Sequence, residues 1–213
     1  MKVPRAYSYE DAKRKKFKDI TVDKSWEEHL GSPQLGSSSW FIYGGSGQGK
    51  TSYVLQLVKM LCGYYKVHYN TLEEGMKKSF VLALERNNIK SVKNNFSFHQ
   101  ENLEELTARL SRPRQPKIVV IDSVQYFFRG KNTIDYELFI KKFPKTTFIW
   151  ISWGRGDTPI GAVAEAVSFD SDIRVKVDKF EARIEKNRFE TGKSYIIWDE
   201  GYEAQRMKLL SKG

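Results

Sequence analysis

The run GGSGQGKT at residues 44–51 puts Gly44, Gly49, Lys50 and Thr51 at the defining positions of the pattern G-x-x-x-x-G-K-[ST]. Each residue type there has a chemical reason. Glycines let backbone N–H groups curl round a phosphate, and a helix opening at the end of the run adds further donors and the positive end of its dipole. Lys50 is a point charge able to reach the β- and γ-phosphates, and the Thr51 hydroxyl can ligate Mg2+. Gly45, Ser46, Gly47, Gln48 and Ser52 complete the cradle, with Ser46 and Gln48 expected to act through backbone amides more than side chains. The pattern alone does not separate ATPases, GTPases and small-molecule kinases. No N-K-x-D segment is present, which favours ATP.

Two acidic positions fit that chemistry. KIVVID (117–122) is an apolar run ending in Asp122, whose carboxylate can hold Mg2+ through a coordinated water opposite Thr51. An aspartate capping an ordinary turn is the plainer alternative. Upstream, Thr71-Leu72-Glu73-Glu74 closes another apolar run. A glutamate at the end of a strand beside the phosphate loop can orient the attacking water. Glu73 lies nearer the strand end than Glu74 and is the expected base; a solvated first-turn glutamate is the alternative.

These residues need strands and helices in alternation to position them, and the pattern supplies both. SWFIYG (39–44), KVHYNTL (66–72), FSFHQ (96–100), KIVVID and TTFIWIS (146–152) read as strands. TSYVLQLVKMLC (51–62), EEGMKKSFVLALERN (73–87), ENLEELTARL (101–110) and TIDYELFIKKF (133–143) read as helices, the last stopped by Pro144. GRGDTPIG (154–161) reads as a glycine-rich loop before a short Ala-rich helical segment. DIRVKV, FEARIEKN and KSYIIWDE alternate at period two and read as antiparallel strands joined by turns such as Glu190-Thr191-Gly192. The expected architecture is a three-layer αβα domain with a mostly parallel central sheet and antiparallel C-terminal strands, spanning 37–213. Residues 1–36 read as a lead-in. From Met1 to Lys18 it carries seven basic and two acidic side chains, either a solvated terminus or a basic arm touching nucleic-acid phosphates.

The strand–LEE segment after the phosphate-loop helix, then IVVIDSVQYF, then RIEKNRF, resembles the RecA superfamily over residues 36–200. Within it the chain is most similar to the ATPase core of the bacterial RadA (Sms) protein, and less closely to DnaB-type helicases. The resemblance implies that Glu73 is the catalytic glutamate, Asp122 the Walker B aspartate and Gln125 a glutamine just after it. It implies that Lys186 and Arg188 reach the nucleotide of a neighbouring subunit in a ring or filament. Their spacing of two puts both on one face of a strand, and a rigid guanidinium suits charge developing on a transferring phosphoryl group. The chain departs from that family at Ser152-Trp153, where a polar sensor, usually Gln or His, is expected. A bare motor core is expected, without the Cys-rich zinc module and the protease-like domain of the full RadA architecture.

Two loops follow the site-bearing strands, FFRGKN (127–132) and WGRGDTP (153–159), and the resemblance to RecA-like proteins implies that they line a path for DNA, expected to be single-stranded, in a ring or filament. Arg129, Lys131 and Arg155 among glycines suit phosphate tracking, and Phe127, Phe128 and Trp153 suit base stacking. Two ordinary polar loops over an aromatic core are the alternative. In the whole chain of 213 residues, 36 basic against 26 acidic side chains give a net charge of +10, which suits an acidic partner of either kind. The single cysteine, Cys62, excludes a disulfide framework. The stretch up to Asp19 has no apolar core of a secretory signal, and no run approaches a membrane span, so a cytoplasmic protein is expected. Three readings follow: an ATP-hydrolysing protein acting on DNA, a nucleotide-dependent scaffold with little turnover, and a small-molecule kinase. The kinase leaves Gln125 and KNRF unexplained.

Overall fold

The computed structural model describes residues 3–189 and 192–210. Two short helices, α1 (Tyr9–Arg14) and α2 (Lys24–Leu30), precede β1 (Ser38–Gly44) and α3 (Lys50–Cys62). Then come β2 (Val67–Thr71), α4 (Lys78–Arg86), β3 (Phe96–His99), α5 (Leu103–Leu110), β4 (Ile118–Asp122), α6 (Val124–Phe127) and α7 (Thr133–Lys142). The chain closes with β5 (Thr147–Arg155), β6 (Thr158–Pro159), α8 (Ala162–Asp170), β7 (Ile173–Asp178), β8 (Glu181–Asn187), β9 (Tyr195–Ile196) and α9 (Asp199–Leu210). Among the described residues, nine strands form one sheet in the order β3-β2-β4-β5-β1-β7-β8-β9, with β6 folded back on β5. The strands from β3 to β7 in that order are parallel, and β8 and β9 are antiparallel additions.

Period-two alternation builds a core on each face. Trp40 and Ile42 of β1, Val120 of β4 and Ile151 of β5 meet Val54, Leu57 and Leu61 of α3 on one side. Phe41 and Tyr43, Ile121, and Phe148 and Trp150 meet Leu106 of α5, Phe139 of α7 and Val167 of α8 on the other. Because β5 lies between β1 and β4, the phosphate-loop strand and the Asp122 strand are not neighbours, and a cleft opens between their carboxyl ends.

Several sequence expectations are corrected. The helix expected over 73–87 begins only at Lys78, because Gly75 adopts φ 58° and interrupts the turn it would need. KSYIIWDE pairs only through Tyr195 and Ile196; Asp199 then opens α9, against which Trp198 packs so closely that a Cβ at Gly201 would overlap its ring. The expected glycine loop after TTFIWIS is a β5–β6 hairpin, tied down by the Tyr43 hydroxyl donating to the Asp157 carbonyl (3.0 Å) and by a Lys176–Asp157 ion pair. In the lead-in, α1 is exposed, whereas Ile20, Trp26 and Leu30 are buried in the first core and Trp26 stacks on Tyr195 (4.4 Å). Packing therefore begins at Ile20. The turn expected at Glu190-Thr191-Gly192 falls on Glu190 and Thr191, outside the described residues. No described helix is long and apolar enough to cross a membrane.

His68 is buried between Glu101 (3.0 Å) and Ser97 (3.1 Å), and Arg109 holds the other Glu101 oxygen at 2.6 Å. Burial lowers the His68 pKa from its ordinary 6.5, against the pull of Glu101, so the unfolded chain takes up this proton first as pH falls. Stability from this site is complete above the ordinary imidazole value and is lost as pH drops below it. The fall in melting temperature between about pH 7.5 and about pH 5.5 should therefore be shallower in His68→Gln than in the parent. An equal slope in thermal melts would show that His68 does not titrate between the two states.

Candidate active site

β1 carries the chain to Gly44, and α3 starts at Lys50 with Gly49 as its N-cap at φ 104°. A Cβ at Gly44 would overlap the Val177 carbonyl oxygen, and one at Gly49 would lie 3.1 Å from the Phe180 ring. Only glycine fits both places. Gln48 does more than lend an amide: its Oε1 accepts from the Lys179 backbone N–H (2.7 Å), and its carbonyl accepts from the Phe180 N–H (3.1 Å). Lys179 and Phe180 take φ 49° and 61° in the tight β7–β8 turn, so this turn is pinned to the phosphate loop. Lys50 Nζ donates to the carbonyls of Gly44 (2.9 Å) and Gly45 (2.7 Å), holding the ammonium inside the loop. Burial lowers its pKa, and Asp122 and Glu73 draw it back up.

The carboxylates converge on the same cleft. Thr71 pairs with Asp122 across β2 and β4, and the Leu72 and Glu73 N–H groups donate to the Asp122 carbonyl at 2.8 and 3.2 Å. Glu73 is thereby held at the strand end beside Asp122. The Asp122 carboxylate accepts from the Tyr69 hydroxyl (2.7 Å), and burial pushes its pKa up to about 7 despite that bond. Tyr69 is a partner of Asp122 that the sequence marks only by its spacing of two from Thr71 on β2. A cleft of 680 Å³ is lined by Gly44, Lys50, Thr51, Glu73, Asp122 and Trp153, among others. That volume suits a nucleotide-sized ligand.

Two orphaned atoms test whether Mg2+ belongs here. The hydroxyls of Thr71 and Ser123, flanking the Asp122 position, are buried without a hydrogen-bond partner among the described residues. Leaving such a group unpaired costs about 1–3 kcal/mol, a cost that water in the shell of a bound ion would remove. With the Thr51 hydroxyl and the Asp122 carboxylate as hard oxygen donors, the residues fit a hydrated Mg2+. The Asp122 carboxyl must shed its proton to serve it.

The other expected residues are placed elsewhere. Gln125 turns away from the cleft: its side chain donates to Ser152 Oγ and the Ile160 carbonyl, both at 2.8 Å, and accepts from the Trp153 N–H (3.3 Å). Lys186 donates to the Phe169 carbonyl at the end of α8 (2.7 Å), and Arg188 pairs with Asp172 (3.6 Å). The register Trp40–Ile173–Asn187 sets this pair near the amino end of β1, with the phosphate loop at its carboxyl end. They do not join their own chain's site. Of the loop cations, Lys131 is paired with Glu104 (2.9 Å) and Arg129 lies over the Tyr126 ring (4.6 Å). Arg155 is exposed near the hairpin tip. Phe127 and Phe128, expected to be available to bases, are buried against Phe139, Tyr136 and Trp150, because α6 turns them into the second core. Trp153 donates its indole N–H to Glu73 Oε2 at 2.9 Å, a contact that spacing alone did not suggest.

No protein-family profile matches the sequence, and no curated protein matches it. Similar solved structures include the flagellar accessory protein FlaH from Methanocaldococcus jannaschii (TM-score 0.62, 14% identity) and the KaiC-like protein PH0186 from Pyrococcus horikoshii OT3 (TM-score 0.61, 15% identity). Each alignment covers 84% of this chain and 93% of the other. At such identities the likeness shows the fold alone: a RecA-like P-loop fold of mixed α/β type, with a mostly parallel sheet and antiparallel C-terminal strands.

Proposed function

We propose that the chain binds ATP with Mg2+ and hydrolyses it, and that it does so as an assembly of copies whose state follows the nucleotide. The observation that carries this reading is the joining of Glu73 to Asp122 through the backbone bonds from Leu72 and Glu73, across the cleft from Lys50 and Thr51. In the proposed reaction Lys50 leaves its carbonyl partners for the β- and γ-phosphates, and the loop N–H groups hold the phosphate chain. Mg2+, held by Thr51 and through water by Asp122, would draw charge from the phosphate oxygens. Glu73 orients the attacking water and takes its proton. Lys186 and Arg188 act on the nucleotide of a neighbouring copy, as the resemblance to the RadA core implies.

The assembly reading, in which turnover serves a change of subunit contacts, is supported by the internal commitments of Lys131 and Arg129 and the burial of Phe127 and Phe128. Action on single-stranded DNA is the second reading, favoured by the net charge of +10 and by Arg155, whose guanidinium makes no ion pair among the described residues. ATP hydrolysis by the full chain with and without single-stranded DNA, at about 0.1 M salt, separates the two. Stimulation selects DNA; indifferent turnover selects assembly; a phosphorylated small-molecule product overturns both.

If DNA binds, neutralising Arg129, Lys131 and Arg155 together should weaken binding to all sequences and lower the salt-dependence slope by about 2, from roughly 0.7 per lost phosphate contact on a single strand. Binding measured over a salt series with slope and affinity unchanged would move the contact to the basic segment before Asp19.

A further inference from the structure

We propose that Trp153 is the positioning residue for Glu73: the indole N–H fixes the carboxylate that is to orient the attacking water. The inference rests on the hydrolytic reading of Glu73 given above. Glu73 sits on a turn after β2 rather than within a helix or strand, and its side chain is exposed. The bond from Trp153 Nε1 to Oε2 (2.9 Å) is the only hydrogen bond that carboxylate makes among the described residues. A flexible acid on a turn would otherwise sample many rotamers, few of them aimed at an in-line water.

Trp153 is itself well held. Its ring meets Tyr126 edge-on (5.5 Å, 86°), and its backbone N–H donates to Gln125. Gln125 is anchored in turn to Ser152 and Ile160. These contacts explain what Gln125 does away from the cleft: it fixes the end of β5, from which the indole reaches across β4 to Glu73. The rigid ring supplies one donor to one carboxylate oxygen and leaves Oε1 for water. The tryptophan at the expected sensor position thus acts on the base instead of on the phosphate.

The test is ATP turnover by full-length Trp153→Phe, Glu73→Gln and the double variant in Mg2+. Trp153→Phe should lower kcat by about 10- to 100-fold, the scale of a misplaced reacting group, with KM for ATP unchanged. In the Glu73→Gln background the same substitution should have no further effect. Trp153→Gln, whose side-chain amide can also donate, should recover part of the loss. The 15N-indole resonance that Trp153→Phe removes should shift in Glu73→Gln, which leaves the tryptophan untouched. Turnover in Trp153→Phe equal to or above wild type overturns the inference, as does an undiminished effect of that substitution in the Glu73→Gln background. An indole resonance that ignores Glu73→Gln also overturns it, even if Trp153→Phe fails to fold. A wild-type chain that turns over no ATP overturns the hydrolytic reading along with this one, whereas turnover that ignores Trp153→Phe overturns this one alone.

Discussion

Turnover by a Lys50→Ala chain is expected to fall by about 100-fold or more, the scale on which a single charge-stabilising donor acts, and its affinity for ATP to weaken. The ammonium is held at the loop itself, bonded to the Gly44 and Gly45 carbonyls and drawn on by Asp122 and Glu73. Stability should respond quite differently. Burial lowers the Lys50 pKa, so folding places this charge where it is less favoured than in water, and two carbonyl bonds are its return. The variant should melt close to the parent. A normal melting temperature with lost turnover would separate chemistry from folding, and Lys50→Met, which keeps the stem, should behave alike. Wild-type hydrolysis in either variant would move the phosphates away from the 44–52 loop.

The fold was legible wherever period and punctuation agreed. Alternation in SWFIYG and TTFIWIS sends Trp40 and Ile42 to one face and Phe148 and Trp150 to the other, and the structure builds a core on each. Local patterns fail where a single backbone angle or a distant partner decides. Gly75 at φ 58° stops the helix expected from Glu73, a position where helical periodicity alone had no reason to break. Trp26 and Leu30 look like isolated apolar residues in a basic lead-in until the fold buries both in the first core, where Tyr195, far along the chain, provides the surface Trp26 stacks on. In the candidate site, the spacing within GGSGQGKT and IVVID already picks out Gly44, Lys50, Thr51 and Asp122, which line one cleft. Spacing does not reveal the grip of Trp153 on Glu73, because it joins residues eighty positions apart across an intervening strand. Phe127 and Phe128 mislead for a related reason: beside Arg129 they suggest a stacking platform, yet one turn of α6 directs them inward.

The placement of Arg188 bears on the other large effect. Within one chain it lies by the amino end of β1, paired with Asp172, while the phosphate loop opens at the carboxyl end. The intervening length of strand, at about 3.3 Å per residue, exceeds what an arginine side chain can reach round the sheet. If Arg188 serves phosphoryl transfer, it must serve a neighbour's. Arg188→Ala should then bind ATP yet hydrolyse it about 1,000-fold more slowly, as when an arginine finger is withheld. Glu73→Gln should be comparably slow, with ATP bound and the water poorly oriented. Neither variant alone can assemble a complete interface. In an equal mixture on a head-to-tail assembly, roughly a quarter of the interfaces join Glu73 of one copy to Arg188 of the next. Activity should return to about that fraction of wild type. Subunits must exchange for this to occur, which mixing differently labelled chains would establish independently. Lys186, bonded to the Phe169 carbonyl beside the exposed Phe169 ring, should release on assembly and behave as a weaker version of the same defect. If the labelled chains mix freely and the mixture stays at the sum of its two parts, Arg188 acts within no shared site, and its pairing with Asp172 is structural.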